Sequence, residues 1–201
     1  MSICGPAHSA SRTALRWEDA RSRSRQRILE VASTMFAHCG FENATMNRIA
    51  DGCGITKATI YAYFRDKESL YRVVMDGHLD GLPAADVDLP NSAPTAKALQ
   101  RILEGMARLA AHPGCRAFCQ ALARSEHDHS IYFARWETVL HPFLALAART
   151  FANAPPQLKM WDDGETFVRL VAEEQGLPRG PSPMFRRGMT EALVVQACPL
   201  G

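Results

Sequence analysis

Long apolar runs are missing from this chain. No stretch of 18 apolar residues occurs among its 201, so a membrane-spanning helix is not expected. The opening Met1-Ser2-Ile3-Cys4-Gly5-Pro6-Ala7-His8 lacks the basic-then-apolar order of a secretory signal, and the expected location is the cytoplasm. Cysteine is sparse: six residues, Cys4, Cys39, Cys53, Cys115, Cys119 and Cys198, are spread over a chain long enough to build its own core. Reduced thiols are therefore expected rather than a disulfide framework. Alternating strand patterns of useful length are absent, as are a Gly-rich phosphate loop, a G-x-S-x-G elbow and an H-E-x-x-H helix. An enzyme is not expected, nor is a cofactor or a bound metal. What is present, 47% hydrophobic residues with mixed charge, excludes collagen-like, coiled-coil and wholly disordered chains.

Charge of one sign is also scarce overall, at Lys+Arg 23 against Asp+Glu 21. Its distribution is uneven. From Arg21 to Arg72 nine cations face five anions, and from Val73 onward twelve cations face fourteen anions. A small basic unit thus precedes a larger, slightly acidic one, which points towards a polyanionic partner for the first.

Residues 1–20, rich in Ser, Ala and Arg without apolar periodicity, are expected to be a flexible arm. From Arg25 the pattern turns helical: Ile28, Leu29, Ala32, Met35, Phe36 and Cys39 recur at three- and four-residue spacing and Gly40 stops the helix. Thr45 caps a second, short helix with Met46, Ile49, Ala50 and Cys53 inward, ending at Gly54. Thr56 caps a third, anchored by Ile60 and Phe64, and Asp66 starts a fourth with Leu70, Val73 and Val74. The expected domains are residues 21–76, then 77–94 as a Gly- and Pro-rich linker or the end of a connecting helix, then 95–201. In the last, helices are expected from the stripe Leu99, Ile102, Leu103, Met106, Leu109 and Ala110, from Cys115 to Ser125, from His129 to Asn153 with a kink or split at Pro142, from Asp162 to Gln175 and from Pro183 to Ala197. The fold class is all-α.

Two short helices joined by a glycine-containing turn, Asp51-Gly52-Cys53-Gly54-Ile55-Thr56, make a helix-turn-helix. With Ile60 and Phe64 inward, the third helix presents Lys57, Ala58 and Tyr61 outward, flanked by Thr59, Ala62 and Tyr63. Such a helix fits a DNA major groove. Lys57 and Lys67 each fall in the first turn of a helix, where the macrodipole disfavours a cation by about 0.3–1 kcal/mol. A docked phosphate would reverse that sign, the alternative being that both lysines only solubilise the surface. Arg21, Arg23, Arg25 and Arg27 alternate with Ser22, Ser24 and Gln26; they either lie along phosphates or form a solvated helix start.

The residues Ile28-Leu29, Phe36-Ala37, Gly40-Phe41, Thr45-Met46, Ile49-Ala50, Gly54-Ile55-Thr56-Lys57-Ala58-Thr59-Ile60-Tyr61-Ala62-Tyr63-Phe64, Lys67-Glu68 and Leu70 closely resemble, in order and spacing, the N-terminal domain of tetracycline-repressor (TetR) family regulators. The resemblance covers about a quarter of the chain. It implies an N-terminal three-helix helix-turn-helix domain plus a C-terminal helical domain that binds a small molecule and forms a homodimer. It also implies that Thr45 and Asn47 face double-stranded operator DNA, that Thr56 opens the recognition helix, that Lys57, Ala58 and Thr59 approach bases, and that Tyr61, Tyr63 and Lys67 hold phosphates. Two positions depart from the pattern. Ala62 replaces a larger, often polar side chain, and Gly52 replaces a common Ala inside the second helix, at a cost of about 1 kcal/mol.

For the remaining chain the apolar residues Met106, Phe118, Phe133, Trp136 and Phe143 are candidates to line an effector pocket, which would make the effector largely apolar, although most such side chains form core. Phe167, Leu170 and Val171 with Phe185, Met189, Ala192 and Leu193 form stripes suited to a four-helix dimer interface. Cys115 and Cys119, with His112, have spacing suited to thiol or metal sensing, and His127, Asp128, His129 and His141 to metal binding or a response to pH. Buried cysteine packing and a helix-capping loop are the respective alternatives. The reading is a ligand-responsive DNA-binding repressor; the alternative is a helical ligand carrier or interaction module that retains the helix-turn-helix as scaffold.

Overall fold

The computed structural model describes residues 7–126, 130–154 and 164–178, and these form helices and connecting loops with no strand among the described residues. In chain order the helices are α1 (Ala7–Asn43), α2 (Met46–Cys53), α3 (Lys57–Tyr63), α4 (Lys67–Asp80), α5 (Thr95–Ala111), α6 (Pro113–Ala123), α7 (Ser130–Ala152) and α8 (Gly164–Glu174). The expected helix at 183–197 lies outside the described residues.

The short helices are delimited by local chemistry. Thr45 Oγ1 accepts the Arg48 amide at the start of α2, and Gly54, at φ 69 and ψ 33, closes its end while its N–H returns to Asp51. That left-handed conformation is strained for any residue with a Cβ. Thr56 Oγ1 accepts the Thr59 amide to open α3. Asp66 and Ser69 form a reciprocal capping box at α4, each such cap being worth about 1 kcal/mol.

Residues 7–20 differ from the expected flexible arm: from Ala7 onward they are the first turns of α1. The segment has good helix formers and no Gly or Pro after Pro6. Lengthening an existing helix avoids the unfavourable nucleation step that would defeat it as an isolated peptide. At the other end, Gly40 adopts φ 79 and ψ 174, which breaks the helical path before its last turn.

The core is continuous. Ile28, Ala32 and Phe36 of α1 bury with Ile49 and Ile60 of the helix-turn-helix and Leu70 of α4, and Leu99, Ile102, Met106, Phe118, Trp136, Phe143 and Val168 form the interior of the second bundle. Between them Tyr71 meets Phe36 and Tyr132 edge-on, at 4.9 and 5.9 Å. Burial pushes its hydroxyl pKa up to about 12. α4 continues past residue 76 to Asp80, where Arg135 of α7 pairs with both Asp76 and Asp80. The 81–94 segment is irregular but tied down, since Arg149 donates to the Leu89 carbonyl at 2.9 Å and Arg101 pairs with Asp86 at 2.6 Å. α7 runs through Pro142 as one helix. No helix of the described residues is long and apolar enough to cross a membrane.

Candidate nucleic-acid interface

The helix-turn-helix has one face that the core does not use. Met46, Ile49, Ala50 and Cys53 of α2 and Ile60 of α3 point inward, which leaves Thr45, Asn47, Thr56, Lys57, Ala58, Tyr61 and Ala62 exposed together. Thr59 and Tyr63 are half-buried at its edges. Thr56 and Thr59 share a hydroxyl hydrogen bond of 2.8 Å, so both are oriented before any partner arrives. Lys57 Nζ lies 5.9 Å from the centroid of the Tyr61 ring, and Tyr61 is 43% exposed. The surface combines a cation, hydroxyls, an amide and small side chains on a helix that can approach a groove closely.

Arg48 belongs to this face and was not singled out from the sequence. It is exposed one position after Asn47 and donates to the Asn43 carbonyl at 3.0 Å. Its three-residue spacing from Thr45 was the signal that placed it outward.

Lys67, expected to hold phosphate, is engaged within the chain. Its ammonium donates to the Phe41 carbonyl at 2.8 Å and the Glu42 carbonyl at 3.4 Å, and sits 4.1 Å from the Phe41 ring centroid. Those carbonyls end α1, where helix polarity favours a cation. The lysine therefore couples α4 to α1.

Arg21 and Arg25 lie beside the carboxyl-terminal end of α3, over the rings of Tyr63 and Phe64 at 5.9 and 5.4 Å. Arg23 is exposed on the same helix. Arg27 donates to the Cys53 carbonyl at 3.3 Å and caps the end of α2. The alternation Arg-Ser-Arg is thus part of a rigid helix packed on the recognition helix.

The five candidate pocket residues lie in the second bundle. Met106, Phe118, Trp136 and Phe143 are buried core side chains and Phe133 is half-buried. Phe118 stacks on Trp136 at 5.9 Å, and the Trp136 indole N–H is taken by the Pro178 carbonyl at 3.1 Å. Phe143 packs so closely on α5 that a Cβ at Gly105 would stand 2.6 Å from its ring. Phe167, Leu170 and Val171, expected at a dimer face, are buried within this chain, Phe167 against Phe151 at 5.8 Å; a twofold surface needs other residues. Phe185, Met189, Ala192 and Leu193 lie outside the described residues.

The Cys115 and Cys119 thiols are 4.0 Å apart. Their shared hydrogen bond favours the Cys115 thiolate and pushes the Cys119 thiol up. Among the described residues no group of three His, Cys, Asp or Glu side chains is arranged to hold a metal ion. His127, Asp128 and His129 lie outside them.

Comparison with known proteins agrees with this geometry. Residues 28–74 match the family model described as bacterial regulatory proteins, tetR family. The HTH-type transcriptional repressor KstR2 of Mycobacterium tuberculosis is 38% identical over 106 residues, covering 53% of this chain and 46% of that protein. An HTH-type transcriptional regulator of Staphylococcus aureus is 44% identical over 63 residues, 31% of this chain and 34% of its own. The chain thus spans less than half the length of these curated relatives. Among solved structures, MexZ, a repressor of Pseudomonas aeruginosa, superimposes with TM-score 0.57 at 17% identity, over 88% of this chain and 95% of its own. A TetR family regulator of Pseudomonas syringae gives TM-score 0.54 at 20% identity, over 86% and 91%. At such identities the likeness concerns the fold, and it extends through both bundles. Over residues 28–74, the stretch that carries the helix-turn-helix, this chain is thus similar to the tetR family of bacterial regulatory proteins.

Proposed function

We propose that the chain is a homodimeric, ligand-responsive transcriptional repressor acting in the cytoplasm. The observation that carries this reading is the uncovered face of α2 and α3, where Thr45, Asn47, Thr56, Lys57, Ala58 and Tyr61 stand together on a rigid scaffold. In a dimer the two α3 helices would enter successive major grooves about 34–36 Å apart on a pseudo-palindromic operator. Lys57 and the α3 amides would approach base edges and phosphates at the groove, with Thr59, Tyr61 and Tyr63 at its walls. Arg21, Arg23 and Arg25 would add phosphate contacts that raise affinity more than specificity.

An effector would act through the second bundle. Met106, Phe118, Phe133, Trp136 and Phe143 offer a largely apolar environment, so an apolar small molecule is the matching class. Binding would favour a dimer whose α3 helices are spaced differently, with a coupling free energy of about 1–3 kcal/mol. The name of KstR2 as a repressor supports the sign of regulation.

The test is selection of duplexes from a random pool by the full chain, followed by sequencing. Enrichment of a two-half-site motif with Lys57-dependent binding is expected. Recovery of no motif, at any salt concentration that permits binding, would count against specific regulation.

A further inference from the structure

Residues 7–20 of α1 have no role in the reading above. Trp17 is 72% exposed, yet it stands eleven residues before Ile28. That is close to three helical turns, so both occupy one face of α1. At Ile28 and Ala32 this face is fully buried; at Trp17 nothing among the described residues covers it. Arg16, Arg21, Arg23, Arg25 and Arg27 are all exposed along the same stretch, against Glu18 and Asp19.

The direction of this extension follows from its other end. Arg124 of α6 donates to the Ala37 and His38 carbonyls at 2.8 and 2.6 Å, and the Phe41 amide donates to Ser125 Oγ at 2.9 Å. α1 is therefore fastened to the second bundle at its carboxyl-terminal end, and its first turns leave from the opposite end. There Arg21 lies over Tyr63, which makes the extension continuous with the DNA-facing surface of α3.

We propose that residues 7–20 are a second DNA-binding element, laid along the duplex outside each half-site, with Arg16 and, seven residues further along α1, Arg23 on phosphates and the Trp17 indole against the sugar edge. The inference rests on the helix-turn-helix reading. Charge complementarity selects the occupant: from Arg16 to Arg27 five arginines stand against two carboxylates, Glu18 and Asp19, so pairing this stretch with a second copy would set one net positive surface against another, whereas a phosphate backbone neutralises it. Indole presents a large apolar body with one N–H donor, which suits a sugar-phosphate wall. Fourteen helical residues span about 21 Å, or roughly six base-pair steps at about 3.4 Å each.

The experiment uses the full chain and a random-sequence 40-base-pair duplex at low salt, read by titration with salt and by tryptophan emission. Replacing both arginines (Arg16→Ala with Arg23→Ala) is expected to reduce the slope of log K against log salt by about two units and to weaken binding about tenfold or more. DNA is expected to shift the emission of the native chain to shorter wavelength, and Trp17→Phe to remove that shift. Lys57→Ala with Tyr61→Ala should weaken binding but keep it. All these positions are exposed or peripheral, so the fold tolerates the changes. An unchanged slope and an unchanged emission response in the extension variants, with the Lys57 variant still weakened, would overturn the inference and leave the helix-turn-helix reading standing. Failure of the native chain to bind DNA at all would remove both. A change in the sedimentation of the DNA-free chain on Trp17→Ala would assign the face to contacts between copies and overturn it as well.

Discussion

The Lys67 ammonium lies 2.8 Å from the Phe41 carbonyl oxygen and 4.1 Å from the centroid of the same residue's ring. One cation thus serves as terminal cap for α1 and as a contact to an aromatic face, and it does so from the first turn of α4, where helix polarity opposes it. Two of its three donors are committed to carbonyls.

Lys67→Ala is accordingly expected to act on stability. Loss of a charged hydrogen bond and a partly buried cation–aromatic contact should cost about 1.5–3 kcal/mol, measured as a shift in the urea midpoint. Lys57→Ala, at an exposed position, should leave that midpoint within about 0.5 kcal/mol and lower the salt slope of DNA binding by about one unit. A reversed pattern, with Lys67 controlling the salt slope and not the midpoint, would assign it to phosphate.

Gly40 is required twice over. Its φ of 79 with ψ 174 lies in a region open essentially to glycine, and a Cβ there would run into the carbonyl of Arg124. Gly40→Ala should therefore cost at least about 2 kcal/mol, since about 1–3 kcal/mol of backbone strain adds to a clash with unyielding backbone. The loss should be local. Hydrogen exchange is expected to rise at the α1–α6 junction, where Arg124, Ser125 and Glu126 meet Ala37, His38, Phe41 and Glu42. Unchanged protection there would refute the assignment of Gly40 as the point of closest approach.

The helices of the amino-terminal domain were legible because their signals are local. Thr45, Thr56 and Asp66 cap the helices they precede, and the apolar spacing of α2 alone decides which side faces out. The extent of α1 was not legible, since Ser, Ala and Arg without periodicity fit equally a free arm and a helix continued from its neighbour. The partner of Lys67 was hidden for a different reason. Position in a first turn predicts an affinity for anions, while the α1 carbonyls that occupy the lysine come from 25 and 26 residues away. Pocket candidates shared this limit, because a bulky apolar residue at helical spacing reads the same in a tight core and in a cavity wall. Gly52 was legible as a cost and illegible as a fit.

The fit at Gly52 is with Val31: a Cβ would stand 2.9 Å from Val31 Cγ1, closer than carbon atoms pack. The helical preference for Ala over Gly, about 1 kcal/mol, competes with that overlap. Gly52→Ala alone is expected to be neutral or destabilising by up to about 1–2 kcal/mol. Combined with Val31→Ala, the Gly52→Ala step should become stabilising by about 0.5–1 kcal/mol, a non-additivity that a double-mutant cycle in urea measures. Strict additivity would mean that α1 and α2 are free to move apart at this point.

His78 gives the junction a pH dependence with a defined sign. Its Nε2 is 3.0 Å from Ser33 Oγ of α1, and burial, then the neighbouring His112, holds its pKa below the usual 6.5. His112 is itself constrained, with Nδ1 buried and without a hydrogen-bond partner among the described residues. The folded chain thus binds fewer protons than the unfolded chain between the depressed value and 6.5. Unfolding free energy must then rise with pH across that window. The contribution of His78 is complete above the unfolded-state value, is lost as the pH falls through it, and is gone below the folded-state value. His78→Gln, which keeps a polar group near Ser33 and cannot titrate, should flatten the stability profile between pH 7 and 5. Urea melts at half-unit pH steps provide the comparison. A native profile that rises on acidification through this range, or an unaltered profile in the variant, would show that the charged histidine is accommodated between α1 and α4.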